Sequence, residues 1–437
     1  MKESGDAAHT MPERTSLFSG ISKNVVAMGL TSFLTDCSTE LYYPLLPVFL
    51  KTVIGTGVLF IGVIEGIAES TASLLKLISG WLSDKLNRRK ALVVGGYGLS
   101  GLTRPLIAVA TVGWHVLGAR FIDRIGKGLR TSARDALIAD STHPDYRGKA
   151  FGFHRAMDHA GAVVGPLVAF VLMAGMFFGP GVFATWISHP LDTLARMEHI
   201  QPTEQNFRTI FWLASIPAIL AVLVLVFSVT EIRRTGEYTK LPVLTLKPFD
   251  RSFKRFLPIV VLFTLGNSSD AFLILRARDL GVATVFVPIL WVVLHLVKMT
   301  SSTPGGAWSD RAGRRKVIIA GWGVYSLIYL GFACARYEWH IWALFALYGI
   351  YFGLTEGTEK AFVADLVPSE LRGTAYGIYN FAIGIGALPA SLIMGALWQT
   401  FNPTVAFIFG AALSTMAMVL IALAIPARIS QNVKRET

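Results

Sequence analysis

Seven ionisable residues recur at helical spacing between positions 120 and 135: Arg120, Asp123, Arg124, Lys127, Arg130, Arg134 and Asp135. At about 100° per residue they fall within an arc of about 140°, with Thr131 among them, while Phe121, Ile122, Ile125, Leu129 and Ala133 occupy the remaining circumference. Two kinds of chemistry suit such a stripe. Arg124, Lys127 and Arg130 could hold an anionic solute, because guanidinium forks match carboxylate and phosphate groups. Alternatively, the charges neutralise one another within a bundle and never touch a ligand. On that reading Arg120, Arg124, Lys127, Arg130, Arg134, Lys76, Arg104 and Arg155 are balanced by Asp123, Asp135, Asp36, Glu40, Glu65, Glu69 and Asp158. An anionic or zwitterionic solute is favoured, since a bundle needing stability alone would use apolar packing.

Other segments repeat the theme. Asp36, Glu40 and Tyr43 share one helical face; Glu65, Glu69, Ser73 and Lys76 share another; His154 with Asp158, and Arg155 with His159, are i,i+4 pairs. Further along, Asp270 follows Asn267, His295 and Lys298 lie beyond Trp291, and Glu356, Glu359 and Lys360 fall in one segment. Glu69, His295, Asp270 and Glu356 therefore join Arg124, Lys127 and Arg130 as candidate solute ligands. Asp36, Glu40, Glu65, Asp158 and His154 are candidates for proton coupling, since ionisable groups kept inside a membrane mark proton relays. A metal site at His154, Asp158 and His159 is disfavoured, because no dense His/Cys cluster accompanies them. Cys37 and Cys334 supply neither a disulfide framework nor metal-ligand spacing. With no phosphate-cradling glycine loop, nucleophile motif or ligand set, neither an enzyme, an ATP-driven machine nor any cofactor is expected.

The elements that must position these groups are set by composition. The chain has 437 residues, 53% hydrophobic and 16% charged, with mean hydropathy +0.54. That is too apolar for an ordinary soluble protein. Twelve apolar segments approach the roughly 20 residues that a helix needs to cross a bilayer: 24–50, 57–82, 90–110, 114–138, 147–177, 209–230, 255–280, 283–307, 315–335, 340–366, 370–399 and 403–426. They lack the short alternation of a membrane barrel. On the fourth span, each charge facing lipid at the midplane would cost about 2.5–3.5 kcal/mol, so the stripe must face protein or water.

The net charge of +12 is concentrated after span two (Lys85, Arg88, Arg89, Lys90), before span five (Arg147, Lys149), between spans six and seven, after span eight (Arg311, Arg314, Arg315, Lys316) and in the tail. All of these fall on one side of the membrane, the cytoplasmic side by the positive-inside rule, which accounts for the basic balance without nucleic acid. Residues 1–23 have no apolar h-region and read as a cytoplasmic tail, with 427–437 as another. The stretch 179–208 reads as a long solvated connector on the outer side.

An internal repeat divides the chain. Gly80-Trp-Leu-Ser-Asp84-Lys85-Leu-Asn-Arg88-Arg89-Lys90 returns as Gly306-Ala-Trp-Ser-Asp310-Arg311-Ala-Gly-Arg314-Arg315-Lys316, offset by 226. Ala136, Asp140, Arg147-Gly148 and Gly152 return as Ala361, Asp365, Arg372-Gly373 and Gly377, offset by 225. Two six-span halves, 24–230 and 255–426, are thus joined by a charged cytoplasmic linker, 231–254. Glu69 and His295 occupy equivalent positions in the repeat.

The repeated loop resembles the signature of the major facilitator superfamily, with Asn87 in place of its glycine in the first copy. The resemblance implies two pseudo-symmetric six-helix bundles enclosing a central cavity that opens alternately to the two sides. It also implies a cytoplasmic gate, for which Asp84, Arg88, Asp310, Arg314, Arg147 and Arg372 are the candidates, with Asp84 and Asp310 near the starts of spans eleven and five, where a helix N-terminus favours an anion. Gly152, Gly161 and Gly165-Pro166 partly resemble an antiporter motif, with Ala169 and Phe170 where its closing glycines would stand. The reading is a monomeric, proton-coupled secondary carrier in the inner (plasma) membrane, both termini cytoplasmic, with sodium as the alternative ion. Its solute is expected to be a small polar organic anion such as a carboxylate, a phosphorylated metabolite or a siderophore. The rivals are a proton antiporter expelling drugs or metabolites and a receptor or scaffold that does not translocate.

Overall fold

In the computed structural model the described residues are 21–86, 88–142, 147–179, 192–193, 196–197, 201–231, 246–367 and 371–426, and the side chains of residues 77, 80–86, 139, 147–149, 152, 178, 303, 310, 372 and 373 stand outside that description. The described residues contain no strand, and their long helices group into twelve spans. Span one runs Lys23–Tyr42, passes through a 3-10 turn at Tyr43–Leu45 and continues as Leu46–Thr52; Pro44 and Pro47, which cannot donate to a helical ladder, lie at that turn. Spans two to five are Val58–Leu86, Arg89–Ala108, Gly113–Asp140 and Arg147–Phe178. Span six is Glu204–Leu213 with Ser215–Ser228, span seven is Arg251–Gly266 with Ala271–Asp279, and span eight is Thr284–Phe286 leading into Val287–Ala312. Spans nine to twelve are Arg314–Cys334, Glu338–Asp365, Arg372–Thr400 and Pro403–Ala424. Eight of the twelve are long and apolar enough to cross a membrane on length and composition alone; span four, with its stripe of charge, is not among them.

Two starts lie four or five residues earlier than hydropathy indicates, and in both a polar cap sets the boundary. Thr203 and Asn206 form a reciprocal capping box, so span six starts at Glu204 instead of 209. The Asp250 carboxylate accepts from the Ser252 and Phe253 amides at 2.9 and 3.0 Å, starting span seven at Arg251 instead of 255. Span seven is also broken, which the continuous stretch 255–280 did not indicate. At the break the Tyr325 hydroxyl reaches the Gly266 carbonyl oxygen at 3.0 Å and the Asn267 side-chain oxygen at 3.2 Å. An interrupted helix is tolerated at membrane depth only where it is buried in protein or lines a cavity. The tails, most of the linker and most of the long connector lie outside the described residues.

Packing follows the repeat. In the first half spans one and five, one and six, two and four, three and four, and three and six are neighbours; seven and eleven, seven and twelve, eight and ten, nine and ten, and nine and twelve match them pair for pair. The halves meet along spans two with eleven and five with eight, two seams that the same pseudo-twofold exchanges. Close approach at the first seam needs missing side chains: a Cβ on Gly66 would stand 2.9 Å from the Leu388 side chain and 3.0 Å from its Cα. Gly165 plays the same part within the first bundle, where a Cβ would stand 3.0 Å from the Leu41 amide nitrogen on span one.

Among the described residues, polar contacts between the halves run from mid-membrane toward the end opposite the basic loops. Ser70 donates to the Gly384 carbonyl at 2.6 Å and accepts from the Leu388 amide at 3.1 Å. The Trp291 indole donates to Glu40 at 2.7 Å, the Leu59 amide donates to Gln399 at 3.2 Å, and Lys51 pairs with Asp279 at 2.7 Å. The molecule is closed at that end. Overpacking a tight contact costs about 1–3 kcal/mol, so Gly66→Val should weaken this closure roughly tenfold or more. With Ser269→Cys as the sole cysteine, a membrane-impermeant maleimide applied from the closed end should label the Gly66→Val protein faster by about that factor; unchanged labelling would sink the seam as the closing element.

Candidate functional site

The charges of spans two, three and four resolve into a chain of buried ion pairs. Arg104, 2% exposed, donates to Asp123 at 2.8 Å and also to Thr39, Thr103, Ser38 and the Ser100 carbonyl. Its role was not assignable from sequence, and here it is the principal partner of Asp123. Arg120, fully buried, grips both oxygens of Glu65 at 3.0 and 2.9 Å, and its guanidinium lies 3.8 Å from Asp123 and 5.0 Å from the centre of the Tyr43 ring. Arg124 reaches only to 3.9 Å from Asp123, and its Nε is buried without a hydrogen-bond partner. Three guanidiniums thus face two carboxylates, Glu65 and Asp123. Among the described residues Arg124 is the one of the three with no hydrogen bond to either carboxylate, and its charge acts on Glu69.

That guanidinium borders a central cavity of about 320 Å³. One wall, from the first bundle, presents Tyr43, Glu65, Glu69 and Arg124. The facing wall, from the second bundle, is aromatic, with Phe263, Trp322, Tyr348, Tyr351, Phe352 and Tyr379 around Asp270 and Glu359. Between them the break in span seven exposes Asn267, Ser268 and Ser269. Tyr348 donates to Asp270 at 2.8 Å; Trp322 and Tyr379 donate to Glu359 at 2.8 and 2.6 Å. Ser269 reaches across the bundle boundary to Glu65 at 3.4 Å, and Tyr43 donates to the same carboxylate at 3.2 Å.

Of the expected solute ligands, the structure brings Arg124, Glu69 and Asp270 to this cavity. Lys127 is exposed one turn from Arg124, and its charge acts on Asp36, Glu40 and Glu69. Arg130 is turned between spans three and four, its guanidinium 4.3 Å from the centre of the Tyr97 ring and hydrogen-bonded to Ser100. His295 packs 5.6 Å from the Trp291 ring, with neither ring nitrogen hydrogen-bonded, and Glu356 is paired with Lys298 at 2.9 Å. Among the proton-coupling candidates, Glu65 lines the cavity and Glu40 takes the cross-bundle hydrogen bond from Trp291. Asp158 accepts from Ser32 and lies 3.6 Å from His154 and 3.4 Å from Arg155. Asp36 has Asp158 and Glu40 as its acidic neighbours.

The aromatic wall, Glu359 and the polar break were not singled out as a site from sequence. Their signal was there in Tyr348 and Tyr351 one turn apart, and in the run Asn267-Ser268-Ser269-Asp270 within an apolar span.

At the basic end, Arg89 pairs with Asp140 and Arg314 with Asp365, the latter at 2.6 Å. The two pairs are related by the offset of 225 found in the sequence. In the first copy the pairing guanidinium belongs to Arg89, while Arg88 precedes the helix and is exposed. Glu231 accepts from the Arg89 and Lys90 amides at 3.0 and 2.9 Å, satisfying donors at the start of span three. The side chains of Asp84, Asp310, Arg147 and Arg372 lie outside the described residues.

A family model described as the Major Facilitator Superfamily matches residues 28–297 and again 256–436. An MFS-type transporter of Methanocaldococcus jannaschii, itself uncharacterised, is 32% identical over 407 residues, covering 92% of this chain and 94% of its own. The multidrug resistance protein MdtH of Photorhabdus laumondii is 30% identical over 146 residues, 32% of this chain and 36% of its own. Among solved structures, the nucleoside transporter NupG superposes with a TM-score of 0.71 at 12% identity, covering 91% of this chain and 98% of that one, a likeness of fold.

Removing one partner of a buried ion pair leaves an uncompensated charge at a cost of about 3–5 kcal/mol. Asp123→Asn should therefore lower the stability of the detergent-solubilised protein by about that much, and adding Arg104→Gln should recover part of the loss. Arg155→Gln, at a side chain 56% exposed, should change melting little. Equal melting of wild type and Asp123→Asn would show that the network does not hold the bundle.

Proposed function

The chain belongs to the major facilitator superfamily, multi-pass membrane transporters that are not enzymes, and from that premise we propose that it is a proton-coupled secondary carrier of a small carboxylate-bearing organic solute. The observation that carries this reading is Arg124. Its guanidinium borders the cavity, its Nε has no hydrogen-bond partner, and it stands 3.9 Å from Asp123, beyond hydrogen-bond reach. A buried unpaired charge is costly, and a solute carboxylate in a bidentate pair would relieve that cost.

Alternating access would proceed by rocking the bundles about the two seams. The contacts closing the end away from the basic loops would part while the cavity closes at the basic end. We take the basic end as cytoplasmic on charge placement, with the protein a monomer in the inner (plasma) membrane. Glu69 is the carboxylate best placed to couple a proton to the solute. It lines the cavity, and Arg124, Lys127 and Lys76 are the cations acting on it. Protonating Glu69 frees Arg124 for the solute, so proton and solute would enter together. Asp36, Glu40, Glu65, Asp158 and His154 would extend a proton path, with sodium as the alternative coupling ion. A second reading, efflux of drug-like solutes, is favoured by the aromatic wall and by the partial similarity to a protein named for multidrug resistance.

Proteoliposomes with a trapped pH-sensitive dye separate these readings. Adding a carboxylate substrate outside should acidify the lumen of vesicles holding the wild-type protein. Glu69→Gln should uncouple that signal while leaving solute counterflow intact. Arg124→Gln should weaken carboxylate binding by about 2–5 kcal/mol, a loss of well over tenfold in affinity. Alkalinisation on adding apolar cations, unaffected by Arg124→Gln, would make efflux the function; proton flux independent of Glu69 would remove it from the coupling step.

A further inference from the structure

We propose that the solute is a zwitterion, a small amino-carboxylate whose carboxylate meets Arg124 on span four and whose ammonium lodges against Asp270 or Glu359 on the aromatic wall of the second bundle. This rests on the reading that the cavity is the solute site and extends it to the other end of the molecule bound there. Among the described residues lining the cavity Arg124 is the one cation, against Glu65, Glu69, Asp270 and Glu359. Two of those carboxylates are answered from within the first bundle: Glu65 by Arg120, and Glu69 by the charges of Arg124, Lys127 and Lys76.

Asp270 and Glu359 are different. Their hydrogen-bond donors are neutral, the Tyr348 hydroxyl for one and the Trp322 indole with the Tyr379 hydroxyl for the other. Lys298, the cation acting on Asp270, is committed to Glu356 at 2.9 Å, and Lys360, the cation acting on Glu359, is exposed. The neutral donors orient both carboxylates without cancelling their charge.

On that wall Phe263, Tyr348 and Tyr351 present aromatic rings, whose faces attract an ammonium ion within about 6 Å. A plain anion would satisfy Arg124 and leave the acidic wall without a counter-charge. A plain cation would do the reverse. An amino-carboxylate answers both and spans the boundary between the bundles, so that binding it also ties them together.

The test uses the full-length protein in detergent, its melting followed against β-alanine, γ-aminobutyrate, ε-aminocaproate, caproate and hexylamine. At least one of the three amino acids should stabilise wild type at a concentration roughly tenfold below that needed for caproate or hexylamine, the factor that corresponds to about 1.4 kcal/mol. Arg124→Gln should abolish that response. The double variant Asp270→Asn with Glu359→Gln should bring the amino acids to the level of caproate while the response to caproate stays as in wild type, which also shows that the variant is folded. Caproate matching or surpassing every amino acid overturns the zwitterion and leaves the carboxylate site standing. Stabilisation by hexylamine alone, unchanged in Arg124→Gln, overturns both, and no advantage for any amino acid at any concentration overturns the inference.

Discussion

A charge inside a bilayer must find its partner within the protein, and the carboxylate of Asp123 is where this chain meets that demand. It draws in Arg104 from span three at 2.8 Å and stands beside Arg120 and Arg124 of its own helix. Arg120 in turn holds Glu65 of span two. Desolvation makes such pairs poor sources of net stability, yet once built they are expensive to break. Three helices are therefore held in one register by geometry that apolar packing alone would not specify. The same arrangement leaves a guanidinium at the cavity, so what organises the bundle also shapes its chemistry.

Glu65 extends the demand across the molecule. Arg120 anchors it from behind, Tyr43 from the side, and Ser269 of the other bundle from in front at 3.4 Å. The break in span seven that delivers Ser269 is held by Tyr325, itself stacked on Tyr329 with ring centres 4.3 Å apart. A charged wall bonded within one bundle thus faces an aromatic wall packed within the other. Relative motion is left to the seams, where missing side chains and a few hydrogen bonds join the halves. Two bundles that meet along a pair of symmetry-related seams are what a rocking carrier would use.

Much of this was legible in the residues. The offsets of 225 and 226 predicted the duplication, and the pairs Arg89 with Asp140 and Arg314 with Asp365 obey the first of them. The stripe on span four had to face protein or water, and Arg120, Asp123, Arg124 and Arg130 are buried while Lys127 is exposed. Less legible was which charge went where, because periodicity places a residue on a face without saying what stands opposite. Arg130 shares the stripe with Arg124, yet Tyr97 and Ser100 on span three hold it away from the cavity. Arg104 looked isolated in sequence because its partner lies on the next helix. The break in span seven escaped a hydropathy reading, since four small polar residues hardly lower the average of a long apolar span.

The order of the ion pairs along the chain bears on how the protein is made. Span four is poorly suited to enter the membrane on its own. Yet Glu65, which receives Arg120, and Arg104, which reaches Asp123, both lie upstream, as do the Tyr97 and Ser100 contacts of Arg130. Each of these partners has already left the ribosome when span four emerges. Its charges can be neutralised as the helix moves laterally into lipid, without waiting for the second bundle. The reverse order would have left the arginines exposed to hydrocarbon until later spans arrived, so the sequence of synthesis is itself a chaperone for the most polar helix of the fold.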